Sequence, residues 1–197
     1  MTPSSDVSVD AARSHAHLYA DAVALLGRWD PSDPGQEALR RQYADFLASH
    51  PDGLAKAGLP EHLTASCLVL DAAGGHALLT LHRKARRWFQ FGGHLEPEDR
   101  TLWHAARREA REESGIADLE PLPDPVQLDR HVLAGTFGHC REHLDVRYVA
   151  VAPAGAEPQV SGESLDVRWW PVDALPGDAG EELSGLVAAG RRALDHG

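Results

Sequence analysis

Leu102 to Ser114, rich in alanine, arginine and glutamate and stopped by Gly115, reads as one helix standing between two groups of strands. On its N-terminal side, Leu63 to Asp71 and His76 to His82 are strand-like runs of Leu, Val and Thr, with Gly74-Gly75 between them as a hairpin turn. Arg87 to Phe91 follows as a short strand leading into Gly92-Gly93. On its C-terminal side, Val126 to Phe137, Leu144 to Ala152 and Leu165 to Val172 read as strands, and Glu181 to Leu194 as a closing helix. Two amphipathic helices lead the chain, Asp10 to Trp29 and Gln36 to His50, separated by the turn Asp30-Pro31-Ser32-Asp33-Pro34. The predicted order is α-α-β-β-β-α-β-β-β-α. A doubly wound parallel sheet would alternate strand and helix throughout, so the expectation is an α/β fold of the α/β/α sandwich kind, with a mixed sheet and an N-terminal helical extension.

The 197 residues, 43% hydrophobic and 25% charged, suit one globular domain with a terminal extension. A formal net charge of −11 argues against a nucleic-acid backbone as partner. A small polyanion can still bind where metal ions neutralise it locally. No apolar run approaches the roughly 20 residues of a membrane helix, and Met1 to Asp10 is polar and acidic, so no membrane is expected and the expected location is the cytoplasm. Cys67 and Cys140 read as reduced thiols, with Cys67 inside a strand.

The central helix carries the chemistry. Side chains three and four positions apart share a helical face, so Glu109 projects beside Glu112 and Glu113. Carboxylates crowded in this way repel one another unless a cation compensates them. Mg²⁺ takes oxygen ligands and shares its sphere between carboxylates and substrate phosphates. The competing reading is a solvated acidic face paired with Arg107, Arg108 and Arg111.

In full, the stretch Gly92-Gly93-His94-Leu95-Glu96-Pro97-Glu98-Asp99-Arg100, followed by Arg107-Arg108-Glu109-Ala110-Arg111-Glu112-Glu113-Ser114-Gly115-Ile116, resembles a Nudix box. Gly93 opens it and Ile116 closes it. The first acidic position falls on Asp99 instead of a glutamate, and one residue is inserted before Arg108. The resemblance covers roughly Leu63 to Leu194 and divides the chain into an extension, residues 1–60, and a Nudix domain, residues 61–197.

This resemblance implies a hydrolase that cuts a phosphoanhydride in a nucleoside diphosphate derivative or related organic pyrophosphate, with Mg²⁺ or Mn²⁺ as cofactor. It assigns the metal to Glu109, Glu112, Glu113 and a backbone carbonyl at Gly93. The catalytic set would be Glu112, Glu109, Arg108 orienting the carboxylates, and Glu163. Glu163 enters because Nudix domains often place a glutamate about six residues before a tryptophan, here Trp169. Two other functions occur on this fold: isomerisation of an isoprenoid diphosphate, which needs a reactive cysteine, and nucleotide sensing without catalysis.

Candidate substrate contacts are Arg83 and Arg87 in the basic run His82 to Arg87, then His94, then His139, Glu142 and His143. His139 and His143, four apart around Cys140, invite a zinc reading, but no further pair with metal-ligand spacing supports one, so a polar or substrate-facing loop is expected. Trp88, Trp103, Trp169 and Trp170 are expected to pack in the core or sheet, with base stacking as the alternative. The leading helices have three uses open to them: covering the sheet, closing over the pocket or forming a homodimer contact.

Overall fold

The computed structural model describes residues 13–133, 139–179 and 181–196. The start of the first expected helix, from Asp10, and the end of the strand expected to reach Phe137 lie outside them. The helices are α1 (Ala16–Arg28), α2 (Pro34–Ser49), α3 (Leu102–Ser114) and α4 (Glu181–His196). The strands are β1 (Glu61–Leu70), β2 (His76–His82), β3 (Trp88–Phe89), β4 (Phe91–His94), β5 (Gln127–Val132), β6 (Glu142–Val151) and β7 (Ser164–Pro171). All seven strands form one sheet in the order β3-β2-β1-β6-β5, with β4 paired to β1 and β7 to β2. The expected single strand from Arg87 to Phe91 is therefore two, broken at Gln90, with the second half running on through Gly92-Gly93 to His94. The two halves pair with different neighbours, β3 with β2 and β4 with β1, which a run of residues alone does not announce.

The chain forms two compact units. The first comprises Met1–Ala65, His94–Ala105 and Leu128–Val146. In it α1 buries Leu18, Ala22, Leu25 and Leu26, and α2 buries Tyr43 and Leu47, the apolar faces that their periodicity predicts. Asp33 caps α2 by accepting from the Gln36 N–H at 2.9 Å, and Pro34 occupies the first turn, where its missing N–H costs nothing. The Gln36 side chain donates to the Leu128 carbonyl at 3.0 Å and accepts from the Leu128 N–H at 2.6 Å, so α2 satisfies backbone groups of β5. The Tyr43 hydroxyl, fully buried, donates to the Asp129 carbonyl at 2.6 Å.

The second unit comprises Ser66–Gly93, Ala106–Gln127 and Arg147–Gly197. Its hairpin turns at Gly74, whose φ of 65° lies in the region glycine adopts freely, and the Asp71 carboxylate accepts from the Gly75 and His76 N–H groups at 2.7 and 2.9 Å. β7 lies antiparallel along β2, with Leu78 opposite Trp169 and Thr80 opposite Val167. Leu68, Leu70, Leu79, Val149, Leu183 and Leu186 make the core beneath α4. Gly190 lets that helix approach closely, since a Cβ there would stand 3.0 Å from Val149 and 3.2 Å from Leu68. Trp88 belongs to this core and Trp170 packs on it, ring to ring at 5.2 Å, which is the packing role expected of both.

Candidate active site

The site is built outward from α3, and its N-terminal end is held by two oxygen acceptors from outside the helix. The Thr101 hydroxyl accepts from the His104 N–H at 3.2 Å, the ordinary N-cap bond. The Leu102 N–H donates to the Asp21 carboxylate at 2.8 Å, so a side chain of α1 satisfies a second otherwise unpaired donor. Nearby, the His17 ring donates through Nε2 to the Asp99 carbonyl at 2.7 Å. The leading helices thus fasten the loop and the first turn of the glutamate-bearing helix. Nothing in the sequence signals Asp21 or His17, because the bonds span 81 and 82 residues.

Asp99, at the box's first acidic position, is 5% exposed, and its carboxylate accepts from the Glu96 N–H at 2.9 Å while its own N–H donates to the Glu96 carbonyl at 3.0 Å. These bonds close a tight turn and make Asp99 a loop-former. The helix ends as expected at Gly115, with φ 72° and its N–H donating to the Arg111 carbonyl at 2.9 Å, and a Cβ there would stand 2.7 Å from Gln159.

The three glutamates differ. Glu113 is buried and accepts from the Gly92 N–H at 3.3 Å. Glu109 is largely buried, while Glu112 is 62% exposed at its side chain. The Arg108 guanidinium bridges two of them, donating to Glu109 at 3.0 Å and to Glu112 at 3.4 Å. Arg107 and Arg111 turn instead to Glu120, at 3.2 and 2.6 Å. Burial pushes the Glu109 carboxyl up to about 7 against the pull of Arg108. Burial, and then the neighbouring Glu109 charge, push Glu113 up to about 8. Burial thus disfavours the charged form of both carboxyls, and Arg108 offsets it only in part at Glu109.

Gly93 stands directly against this group. A Cβ on it would lie 2.6 Å from Glu109 Oε1, so any side chain would occupy the space in front of the carboxylate. Glu163, in the loop before β7, is exposed, and its charge contributes to raising both Glu109 and Glu113. Arg83 holds that loop on both sides of Glu163, donating to the Gly162 carbonyl at 3.1 Å and the Ser164 carbonyl at 2.9 Å, while its own N–H donates to the Glu163 carbonyl at 3.0 Å. Two largely buried carboxyls, a bridging arginine and a third carboxylate acting on them electrostatically fit a hard divalent ion. Glu109, Glu112 and Glu113 would supply its oxygen ligands.

The remaining candidate substrate contacts also have partners within the protein. Arg87 donates to the Asp178 carbonyl at 2.8 Å. Glu142 accepts from Arg130 at 2.8 Å, and the His139 ring donates to the Gly58 carbonyl at 3.0 Å. His94 and His143 meet His62 and Cys140, which places them in a side-chain cluster of the first unit. His62, at the start of β1, was outside every sequence pattern. Cys67 is wholly buried as expected, and burial pushes its thiol far up.

The mixed sheet and the acidic helix beside a glycine-containing strand define the class of protein as an α/β fold with a carboxylate site, and comparison with known proteins makes it specific. The NUDIX domain model matches residues 60–189. The chain belongs to the Nudix hydrolase family. No curated protein gives a significant sequence match. Among solved structures, an Ap4A hydrolase of C. elegans in a binary complex aligns with TM-score 0.56 at 20% identity, over 68% of this chain and 98% of that one. The dihydroneopterin triphosphate pyrophosphohydrolase of E. coli aligns with TM-score 0.55 at 16% identity, over 64% and 91%. A NUDIX-family hydrolase of Clostridium perfringens gives TM-score 0.50 at 24% identity, over 68% and 97%. At these identities the likeness is one of fold, and it matches the α/β class expected from sequence, with the two leading helices preceding the residues of the family match. No helix among the described residues is long and apolar enough to cross a membrane.

Proposed function

We propose that this enzyme hydrolyses a phosphoanhydride bond in a nucleoside diphosphate derivative or related organic pyrophosphate, with Mg²⁺ or Mn²⁺ as cofactor. The observation that carries the reading is the pair of buried carboxyls set against β4, Glu109 against Gly93 and Glu113 on the Gly92 N–H, a pair that gains from receiving cations. Two of the aligned structures are named for small molecules with chained phosphates, which supports the substrate class.

A phosphoanhydride resists water because its charged oxygens repel a nucleophile. Bound divalent ions supply charge neutralisation and a more acidic attacking water. The protein's own contribution is positional. Glu109, Glu112 and Glu113 would hold the ions, and the substrate phosphates would share their coordination. Arg108 keeps the Glu109 and Glu112 carboxylates in register through its two bonds. Glu163, with Glu112 as the other candidate, accepts the proton of the attacking water, and Arg83 fixes the loop from which it acts. Isoprenoid isomerisation finds less support, since Cys67 is sealed in β1 with its thiol strongly protonated.

The test is release of phosphate or pyrophosphate from a panel of dinucleoside polyphosphates, nucleotide sugars and nucleoside triphosphates, with Mg²⁺ or with chelator. Turnover in Mg²⁺ that chelator abolishes is expected for at least one class. Absence of turnover across the panel, with the protein folded and loaded with metal, would leave a sensing role as the better reading.

A further inference from the structure

His62, His94, Cys140 and His143 come from the start of β1, the end of β4, the residues just before β6 and the start of β6, and each offers one ligand atom within 4.8 Å of all the others. The three imidazole rings form a nearly equilateral triangle, with centroids 5.0, 5.2 and 5.2 Å apart. Cys140 Sγ lies 3.5 Å from His94 Nε2. A tetrahedral zinc ion with bonds of about 2.0–2.3 Å sets its donor atoms roughly 3.3–3.7 Å apart, so this edge already has the required length and the others need small movements.

Two further features point to a ligand. His62 is 0% exposed and its Nδ1 bonds the Leu59 carbonyl at 2.9 Å, which fixes the proton on Nδ1 and turns the bare Nε2 lone pair into the cluster. The Nε2 atoms of His62 and His143 are both buried without a hydrogen-bond partner, a costly arrangement unless something accepts their lone pairs.

We propose that these four side chains form a closed tetrahedral zinc site, separate in composition from the glutamate site and structural in role. Zn²⁺ enters, the Cys140 thiol releases its proton to solvent, and the three imidazoles bind as neutral donors, leaving the site with a single net positive charge. Nitrogen and sulfur donors without carboxylate select zinc over Mg²⁺. The ion would tie three segments that are far apart in sequence, and the proposal stands whether or not the hydrolase reading holds.

The test uses the full chain, purified and passed through a desalting column in excess Mg²⁺. About one zinc per chain is expected to remain by elemental analysis, and to remain also in Glu109→Gln and Glu112→Gln, which empties the other candidate site. Cobalt exchanged into the site should show a thiolate-to-metal charge-transfer band and intense tetrahedral visible bands. Cys140→Ser should abolish the charge-transfer band and weaken zinc by more than the roughly 10–100-fold that losing an outer-shell partner costs. His143→Asn is the second variant, with zinc-dependent thermal stabilisation as its readout, expected to be lost. A native chain free of zinc and giving no cobalt charge-transfer band would overturn the proposal, as would zinc lost with the box glutamates and unaffected by Cys140→Ser.

Discussion

At Gly93 one methyl group would collide with the Glu109 carboxylate. A Cβ would stand 2.6 Å from Glu109 Oε1 and 2.9 Å from its carboxyl carbon, inside any real contact, so Gly93→Ala must drive the carboxylate aside. A displacement of about 1 Å at a catalytic group typically costs about 100-fold, and that loss in kcat/KM is the expected outcome for Gly93→Ala, with its circular dichroism unchanged. Activity within a few-fold of native would mean that Glu109 does not act from this position. The box residues were legible because helical geometry converts their spacing into a shared face. Their inequality was not: one chain face holds Glu113 buried and Glu112 62% exposed, and this follows from what packs over each. Nor did the sequence announce that Arg83, a candidate phosphate contact, donates to the carbonyls flanking Glu163.

For the elements, the first turn of α3 and the loop before it are bonded by the helices that precede the family domain. Asp21 of α1 accepts from the Leu102 N–H, and His17 bonds the Asp99 carbonyl, so the extension holds the box loop in place. Asp21→Ala is expected to cost about 0.5–2 kcal/mol, the usual range for a lost cap. For a chain of this length each kcal/mol lowers Tm by roughly 2–4 °C, which a thermal melt resolves. An unchanged Tm would show that water replaces the cap without cost. The helix positions were legible because burial on one face imposes period 3.6, and the central strands β1 and β6 because they are runs of β-forming residues buried on both faces. The break between β3 and β4 was not, since it depends on which neighbour each half finds in the sheet. The histidine cluster was hidden for the same reason, with His62 and His94 distant in sequence from Cys140 and His143.

Over the whole molecule, the carboxyls of Glu109 and Glu113 make stability depend on pH in the metal-free protein. Both are raised from 4.5, to about 7 and about 8, so the native state binds more protons than the unfolded chain between those values. Stability of chelator-treated protein should therefore fall as pH rises from about 4.5 through about 8. Glu113→Gln should flatten that fall, and saturating Mg²⁺ should remove it. Thermal melts across pH 5 to 8.5, a range set by the linkage window, test this; a flat metal-free profile would show that the two carboxyls are compensated by the protein itself.

The central claim is that the carboxylates of α3 carry out metal-dependent hydrolysis. Its most direct test is phosphate or pyrophosphate release by native protein and Glu112→Gln on the best substrate of the panel, at matched Mg²⁺ and matched fold by circular dichroism. Because Glu112 is largely exposed, its substitution should leave Tm nearly unchanged while lowering kcat by about 100-fold or more. Native-like turnover in Glu112→Gln would contradict the account.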